Sequence, residues 1–467
     1  MDFEEGPVGG SRLAVDPADT RPLHEQLEGS LRSAIRSGRL RAGVRLPSTR
    51  ELSRELGISR GVVTAAYGQL AAEGYLVTRQ GAPVRVSEAI AGAAARPAAR
   101  LLTPGFAYDM RPGLPDLAGF PRDRWLRSLA AAWRRAPAAT LGALDPRGVP
   151  ELRDALAAYL DRVRGTVADP ELLLVCTGFT QGFSLACRAL RAHGVERIAI
   201  EDPGWHTHGL IVEQAGLTAV PVPVEEAGLD VDALVALDPE AVVTTPGHQF
   251  PTGAVLSRER RAALLQWAER GDRLIVEDDY DTELRYDGIA VGALQGLAPE
   301  RVLYIGSASK RLAPGLRLGW MLLPSWLTWP VVSSKAVEDG GSEALGQLAL
   351  ADFIARAELD RYLRRARLRY AARRRALLAA LHEHLPALSV GEDPAGLHEV
   401  LRLPDAIDES SSLAAAARQG IGLEGLSWHR HSAGGPAGVL AGYANLAESA
   451  LDVAVRRLAA AVSEVAA

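Results

Sequence analysis

Primary amines are rare in this 467-residue sequence. Arginine supplies all but two of its 52 basic residues, and the exceptions are Lys310 and Lys335. An amine can lose its proton and form a Schiff base with an aldehyde, whereas a guanidinium stays charged at neutral pH. Lys310 follows the apolar run at 302–305, where a buried strand would end, so it is the candidate for chemistry. Lys335 has no comparable setting, and we expect it to be solvated.

The elements that would position Lys310 form an alternating pattern. Amphipathic stretches separate several short apolar runs, and this alternation predicts an α/β domain whose mainly parallel sheet has helices on both faces. Ligands bind such sheets at the carboxyl ends of the strands. Beyond about residue 330 the pattern is helical and then mixed, which predicts a smaller α+β C-terminal part. The runs that predict buried strands are 172–175, 198–200, 241–244, 274–276 and 302–305.

The segment GSASKRLAPGLRLGW at 306–320 resembles the lysine segment of fold type I aminotransferases, which bind pyridoxal 5′-phosphate (PLP). The resemblance implies that Lys310 holds PLP as an aldimine and that Ser307 and Arg317 bind its phosphate. The loop at 177–181 joins a predicted strand to a helix, so its backbone N–H groups can bind the same anion. The phosphate contacts expected in this loop are Gly178, Phe179 and Thr180.

Other segments resemble the walls of the same cofactor site. The pyridine nitrogen of PLP must stay protonated for the ring to accept electrons, which requires a carboxylate. The resemblance implies that Asp278 pairs with that nitrogen and that Tyr280 donates to the phenolic oxygen. It places Trp205 on the ring face, with plain core packing as the alternative, and His248 and Phe250 near the ring edge. The segments are EDPGW (201–205), TPGHQFPTG (245–253) and VEDDYD (276–281).

Three positions depart from the relatives that bind amino acids. Thr207 and Leu440, the latter in LAGY (440–443), stand where those relatives carry arginines that anchor a substrate carboxylate. Ala143 stands where relatives often carry a tyrosine that reaches the partner subunit's cofactor. The departures argue against a competent transaminase for free amino acids, while the lysine and the phosphate ligands are kept.

The N-terminal part has a charge and a pattern of its own. Residues 20–87 contain eleven Arg, five Glu and no Lys or Asp, so they are basic in a chain whose net charge is −5. A basic module on an acidic body indicates a polyanionic partner. Apolar spacing and the capping residues Ser48 and Ser59 predict three helices, followed by two short strands at 74–78 and 84–86. The inward-facing residues predicted for the third helix are Val62, Val63, Ala66 and Leu70.

The segment LPSTRELSRELGISRGVVTAAYGQLAAEGYL at 46–76 resembles the GntR-type winged helix-turn-helix. The resemblance implies a recognition helix that starts at Ser59 and enters the major groove of a double-stranded DNA operator. Arg50 and Arg60 are implied as the main contacts, to phosphates or to guanine. The alternative is that these arginines only solvate a helix face. The remaining implied contacts are Thr49, Ser59, Thr64 and, at the wing tip, Gln80 and Gly81.

The two modules in this order resemble the MocR/GabR group of transcriptional regulators. We therefore expect a PLP-dependent regulator whose ligand state is coupled to operator binding. The effector would be PLP itself, as in PdxR-type vitamin B6 regulators, or an amine or amino acid. A homodimer is expected, since fold type I sites are usually lined by both subunits. The expected domains are an N-terminal extension (1–19), the DNA-binding domain (20–87), an Ala- and Pro-rich linker (88–104) and the PLP-binding domain (105–467).

Two alternatives remain open at this point. One is a working aminotransferase fused to a DNA-binding module, and the other is a binding protein that kept the fold without PLP. Composition narrows the classes, because 48% hydrophobic and 23% charged residues are typical of globular domains. We expect a cytoplasmic protein with reduced cysteines, since no secretory signal, membrane-spanning run or disulfide framework is visible. We expect no metal site, because the three His-x-His pairs lack a completing ligand set.

Overall fold

The computed structural model describes residues 15–16, 19–36, 39–78, 82–87, 105–288, 291–391 and 395–466. The chain divides into two compact units, Met1–Thr103 and Pro104–Ala467. The expected linker at 88–104 and the wing-tip residues Gln80 and Gly81 lie outside the described residues.

The N-terminal unit contains the three helices and two strands that the sequence predicts. Ser48 caps α2 in a capping box with Glu51, and Ser59 caps α3. The inner face of α3 differs from the prediction at two positions: Tyr67 is buried although it was not predicted to be, and Val62 is only half-buried. Tyr67 donates a hydrogen bond to the carbonyl of Pro47, 3.0 Å away, which satisfies its hydroxyl in the core. The elements are α1 (Leu23–Arg36), α2 (Thr49–Leu56), α3 (Arg60–Ala72), β1 (Leu76–Val77) and β2 (Arg85–Val86).

The second unit is built on an eight-stranded sheet with the order β4-β11-β10-β9-β8-β5-β6-β7. β10, β9, β8, β5 and β6 run parallel, and β11 lies antiparallel between β10 and β4. The expected mainly parallel sheet is confirmed. The strands of this sheet are β4 (Leu173–Cys176), β5 (Arg197–Asp202), β6 (Thr218–Glu225), β7 (Gly228–Leu229), β8 (Ala241–Thr244), β9 (Leu274–Asp279), β10 (Val302–Ser307) and β11 (Gly319–Leu322).

Helices cover both faces of this sheet. Successive residues of each strand point to opposite faces, so Val276 and Ile275 on β9 enter different apolar clusters. Both faces are buried, which explains why the strands are continuous apolar runs. The helices of the unit are α4 (Arg122–Arg135), α5 (Pro150–Arg164), α6 (Phe179–Ala192), α7 (Thr207–Gln214), α8 (Val231–Leu237), α9 (Arg258–Gly271), α10 (Ala308–Arg311), α11 (Ser325–Asp339), α12 (Ala344–Ala355), α13 (Glu358–His384), α14 (Glu409–Arg418) and α15 (Glu448–Ala466).

The C-terminal part has its own antiparallel sheet with the order β12-β13-β16-β15, as its mixed sequence pattern suggests. α15 packs against α13 and α14 beside it. A separate parallel pair joins β14 to β3 near the start of the unit. No helix among the described residues is long and apolar enough to cross a membrane. The remaining strands are β3 (Tyr108–Asp109), β12 (Ser389–Val390), β13 (His398–Arg402), β14 (Ile421–Gly422), β15 (Glu424–Gly425) and β16 (Gly438–Gly442).

Candidate functional site: a cavity around Lys310 and a helix-turn-helix surface

A cavity of about 320 Å³ lies at the carboxyl ends of β4, β9 and β10. Its position is the one at which open α/β sheets bind ligands. The structure brings ten of the eleven expected cofactor-binding residues to its wall. These are Gly178, Phe179, Thr180, Trp205, Phe250, Asp278, Tyr280, Ser307, Lys310 and Arg317.

Lys310 stands on the short helix α10, directly after β10. Its Nζ donates a hydrogen bond to the carbonyl of Gly113, 2.7 Å away. Burial lowers the pKa of Lys310, while Asp281, Asp278 and Glu424 oppose that shift. Gly113 has φ +75°, and a Cβ there would collide with the Lys310 amine. Only glycine therefore leaves room for this amine in its observed position.

One corner of the cavity has the chemistry of a phosphate site. α6 begins after Gly178, whose φ is +127°, and no side chain caps this end of the helix. The guanidinium of Arg317 lies beside the same turn, with Nη2 3.5 Å from the position of a Cβ on Gly178. Ser307 also lines the cavity, and its Oγ accepts a hydrogen bond from the Ser309 N–H at 3.0 Å. Backbone donors, a helix N-terminus and a guanidinium fit a dianionic phosphate.

The carboxylate of Asp278 lies at the end of β9 and is held by a buried histidine. His208 Nε2 lies 3.3 Å from Asp278 Oδ2, and both side chains are more than nine-tenths buried. Burial raises the pKa of Asp278, and His208 opposes that shift by hydrogen bonding. A carboxylate in this setting is stabilised by a cationic partner, and a protonated pyridine nitrogen is such a partner.

Tyr280 and His248 form a second polar layer. The hydroxyl of Tyr280 lies 2.9 Å from His248 Nδ1, and Asp281 Oδ2 lies 3.0 Å from the same nitrogen. Tyr280 lines the cavity and His248 does not, so the expected placement of His248 near the ring edge stays a prediction. His248 stands behind Tyr280 and orients its hydroxyl. Burial raises the pKa of Tyr280 well above its usual value, so the hydroxyl keeps its proton.

Aromatic side chains close one side of the cavity. Trp205 meets Phe179 at 5.9 Å and His208 at 5.3 Å between ring centroids, both in edge-on geometry. Phe250 meets Tyr280 edge-on at 6.1 Å. Trp205 and Phe250 both line the cavity and are only half-buried, so neither is plain core. Flat aromatic surfaces are therefore available to a planar ligand.

A buried ion network supports β9 from behind. Arg164 and Arg311 both contact Asp279 Oδ2, at 2.8 and 3.1 Å, and Arg311 also pairs with Glu283 at 2.7 Å. Burial opposes the charge of Asp279, but the two guanidiniums outweigh it and lower the pKa of this carboxyl. The network fixes the end of β9 at Asp279, and Asp278 is the residue before it on the same strand.

The polar face of α2 and α3 forms the candidate DNA surface. Arg50, Ser59, Arg60 and Thr64 are exposed, and Thr49 is half-buried. Arg60 Nε donates to Thr49 Oγ1 at 3.2 Å, which links the start of α3 to the start of α2. These side chains lie around two helix N-termini, where backbone N–H groups favour phosphates.

Comparison with known proteins finds a matching family for each of the two units. Residues 23–86 match the family of bacterial regulatory proteins called gntR, and residues 118–422 match aminotransferase class I and II. The chain is 34% identical over 460 residues to the probable rhizopine catabolism regulatory protein MocR of Rhizobium meliloti, covering 93% of this chain and 92% of that one. The chain belongs to the MocR/GabR-type family of transcriptional regulators.

A second relative of this MocR/GabR-type regulator is the pyridoxine biosynthesis transcriptional regulator PdxR of Corynebacterium glutamicum. The two are 32% identical over 465 residues, which cover 97% of this chain and 98% of the relative. Among solved structures, an archaeal alanine:glyoxylate aminotransferase has a TM-score of 0.71 and 26% identity, covering 76% of this chain and 91% of the other. The fold type I aminotransferase architecture of the second unit is thus confirmed.

Other residues of this MocR/GabR-type regulator were missed or misplaced by the sequence. The expectation that Lys335 is solvated is wrong, because its side chain is fully buried and its Nζ lies 2.7 Å from Asp339 Oδ2. In the sequence, His208 stands out only as part of a His-x-His pair. Its partner in the structure, Asp278, lies seventy positions away in the chain. Gly113 and Glu424 also line the cavity, and no local motif distinguishes them.

Proposed function

We propose that this regulator binds PLP in the cavity around Lys310 and that PLP occupancy changes its affinity for an operator. When bound, PLP supplies an aldehyde that combines with primary amines and a ring that accepts electrons. The observation that carries the proposal is the set of three chemically distinct groups in one cavity. These are the buried amine of Lys310, the Asp278–His208 pair, and the helix N-terminus beside Arg317.

Each of these groups has a separate task. The lowered pKa of Lys310 leaves more of its amine neutral, which favours capture of an aldehyde. Asp278 would hold the proton on the pyridine nitrogen, and Tyr280 would donate to the phenolic oxygen. Arg317, Ser307 and the N–H groups at 179–180 would bind the phosphate. Trp205 would cover one face of the ring.

The DNA-binding role uses the exposed face of α2 and α3. We propose that Arg50 and Arg60 make the main operator contacts, with Thr49, Ser59 and Thr64 at phosphates or bases. We further propose that the protein acts as a cytoplasmic homodimer, because two copies present two recognition helices to two half-sites. Coupling requires that PLP bind the DNA-competent and the incompetent arrangements with different affinity.

The cavity does not favour turnover of free amino acids. Thr207 starts α7 and Leu440 is completely buried, so neither position offers a cation to a carboxylate. Among the described residues that line the cavity, the lysine and arginine side chains are those of Lys310 and Arg317, and the cofactor would use both.

Titration of the full-length protein with PLP tests the proposal. We expect a visible absorption band, lost in Lys310→Ala, and a change in operator affinity that follows the band in fluorescence anisotropy. Glu226→Gln, on an exposed turn, is a control that should keep both. A band without any change in operator affinity would refute the coupling. Steady-state conversion of an amino donor and a keto acid would favour the aminotransferase instead.

A further inference from the structure

One charge on the cavity wall has no task in cofactor binding. Glu424, on β15, lines the same cavity as Lys310. Its side chain is 37% exposed, so the carboxylate is accessible from the cavity. It is also close enough to Lys310 to oppose the fall in the pKa of that amine. Glu424 is therefore placed to meet whatever occupies the space next to the reacting amine.

The carboxylate of an amino acid would need a positive partner, whereas Glu424 is negative. Glu424 is paired across the strands with Leu440, and side chains of directly paired residues lie on the same face of a sheet. Leu440 stands where amino-acid-binding relatives carry an arginine for the substrate carboxylate. The arginine is thus replaced by an apolar residue, and its strand neighbour is a carboxylate. A second carboxylate brought here would be repelled.

Two basic side chains near Glu424 are Arg111, on which its charge acts, and His398. Arg111 is held by Asp109, with its Nη2 2.6 Å from Asp109 Oδ2. His398 also lines the cavity, but burial lowers its pKa to about 3, so it is neutral at physiological pH. With Lys310 and Arg317 used by the cofactor, the remaining cavity is negative at Glu424.

A buried histidine lies behind Glu424. His429 Nε2 lies 3.3 Å from Glu424 Oε2, and the His429 side chain is only 2% exposed. Among the described residues, Glu424 is the carboxylate within ion-pair distance of this ring, and no hydrogen-bond partner is found for Nδ1. The His429 ring also meets Phe250, a cavity residue, edge-on at 5.0 Å. His429 is not part of the cavity wall, and its contact with Glu424 holds that carboxylate in place beside the cavity.

We propose that the second ligand of this regulator is an amine that carries another positive charge and no carboxylate, the class of α,ω-diamines. The inference rests on the proposed function, since one end must meet the PLP aldehyde carbon held by Lys310. One ammonium pairs with Glu424. The other nitrogen would lose a proton on bonding to the carbon that bound PLP supplies at Lys310, and the Lys310 amine would leave that carbon with a proton in exchange. No oxidant or further reactant is needed.

This inference is tested by measuring how tightly the PLP-loaded, full-length protein binds three four-carbon ligands: 1,4-diaminobutane, butylamine and 4-aminobutyrate. Affinities are measured by the shift of the visible band and, independently, by calorimetry. We expect the diamine to bind at least about tenfold more tightly than butylamine, as one charged hydrogen bond would give. We expect 4-aminobutyrate to bind more weakly than butylamine because its carboxylate meets Glu424.

Glu424→Gln separates this inference from the proposed function. In the loaded variant the preference for diamine over butylamine should fall to about threefold or less, whereas Glu226→Gln, which removes an equal charge from an exposed turn, should keep it. Equal binding of diamine and butylamine to the wild type, or an unchanged preference in Glu424→Gln, would overturn the inference and leave PLP binding standing. Absence of any PLP band in the wild type would overturn both.

Discussion

The sharpest prediction concerns the carboxylate of Asp278. Replacing it in Asp278→Asn removes one charge and leaves the side-chain volume almost unchanged. At a contact distance of about 4 Å and an effective dielectric of about 20, the lost attraction to a pyridinium is about 4 kcal/mol. At 1.36 kcal/mol per pH unit this lowers the pKa of the bound pyridine nitrogen by about 3 units. The burial of Asp278, at 7% exposure, keeps water from replacing much of this interaction.

The assay is ¹⁵N NMR of protein loaded with PLP labelled at the ring nitrogen and titrated with base. We expect a protonated nitrogen in the wild type near neutral pH and a largely neutral nitrogen in Asp278→Asn. Asp154→Asn, exposed on α5, is the matched control and should behave as wild type. If the nitrogen titrates alike in Asp278→Asn and the wild type, Asp278 does not pair with it and the geometric assignment is wrong.

Three further predictions follow from other parts of the molecule. Arg60→Ala should weaken operator binding by roughly 1–3 kcal/mol in fluorescence anisotropy, and unchanged affinity would remove Arg60 from the interface. Arg317→Gln should weaken PLP binding by at least about tenfold but hardly affect pyridoxal, which lacks the phosphate; equal losses for both would refute a phosphate role. Because the folded pKa of His398 is about 3, the unfolded chain binds the extra proton as pH falls below about 6.5. Urea unfolding followed by tryptophan fluorescence should therefore give a free energy of unfolding about 1 kcal/mol lower at about pH 5.5 than at about pH 7.5. This difference should shrink in His398→Gln. An equal loss in both proteins would refute the lowered pKa of His398.

The sequence predicted best those features that depend on neighbouring residues. Alternating apolar runs located the parallel strands within a few residues, because strands buried on both faces must be continuously apolar. Capping residues located α2 and α3, since Ser48 and Ser59 satisfy N–H groups that the helix leaves free. Of the eleven cofactor-binding residues that the family resemblance implied, ten line one cavity.

At His208 and Glu424 the errors share a physical cause, which is contact between residues far apart in the chain, whereas the error at Lys335 concerns burial. Lys335 is buried because α11 turns it toward Asp339 and Ser342, and a single lysine carries no local sign of burial. His208 and Asp278 meet only because β9 and α7 are brought together across the sheet. Glu424 enters the cavity through the pairing of β15 with β16, which the sequence pattern did not indicate.

Chemical trapping of the bond at Lys310 tests directly whether this amine holds PLP. The PLP-loaded protein is reduced with borohydride, digested and mapped by mass spectrometry, and the chain offers a built-in comparison because it has only two lysines. We predict a stable pyridoxyl adduct on the peptide that contains Lys310 and none on the peptide that contains the buried Lys335. An adduct elsewhere, or none at all under saturating PLP, would show that Lys310 does not hold the cofactor.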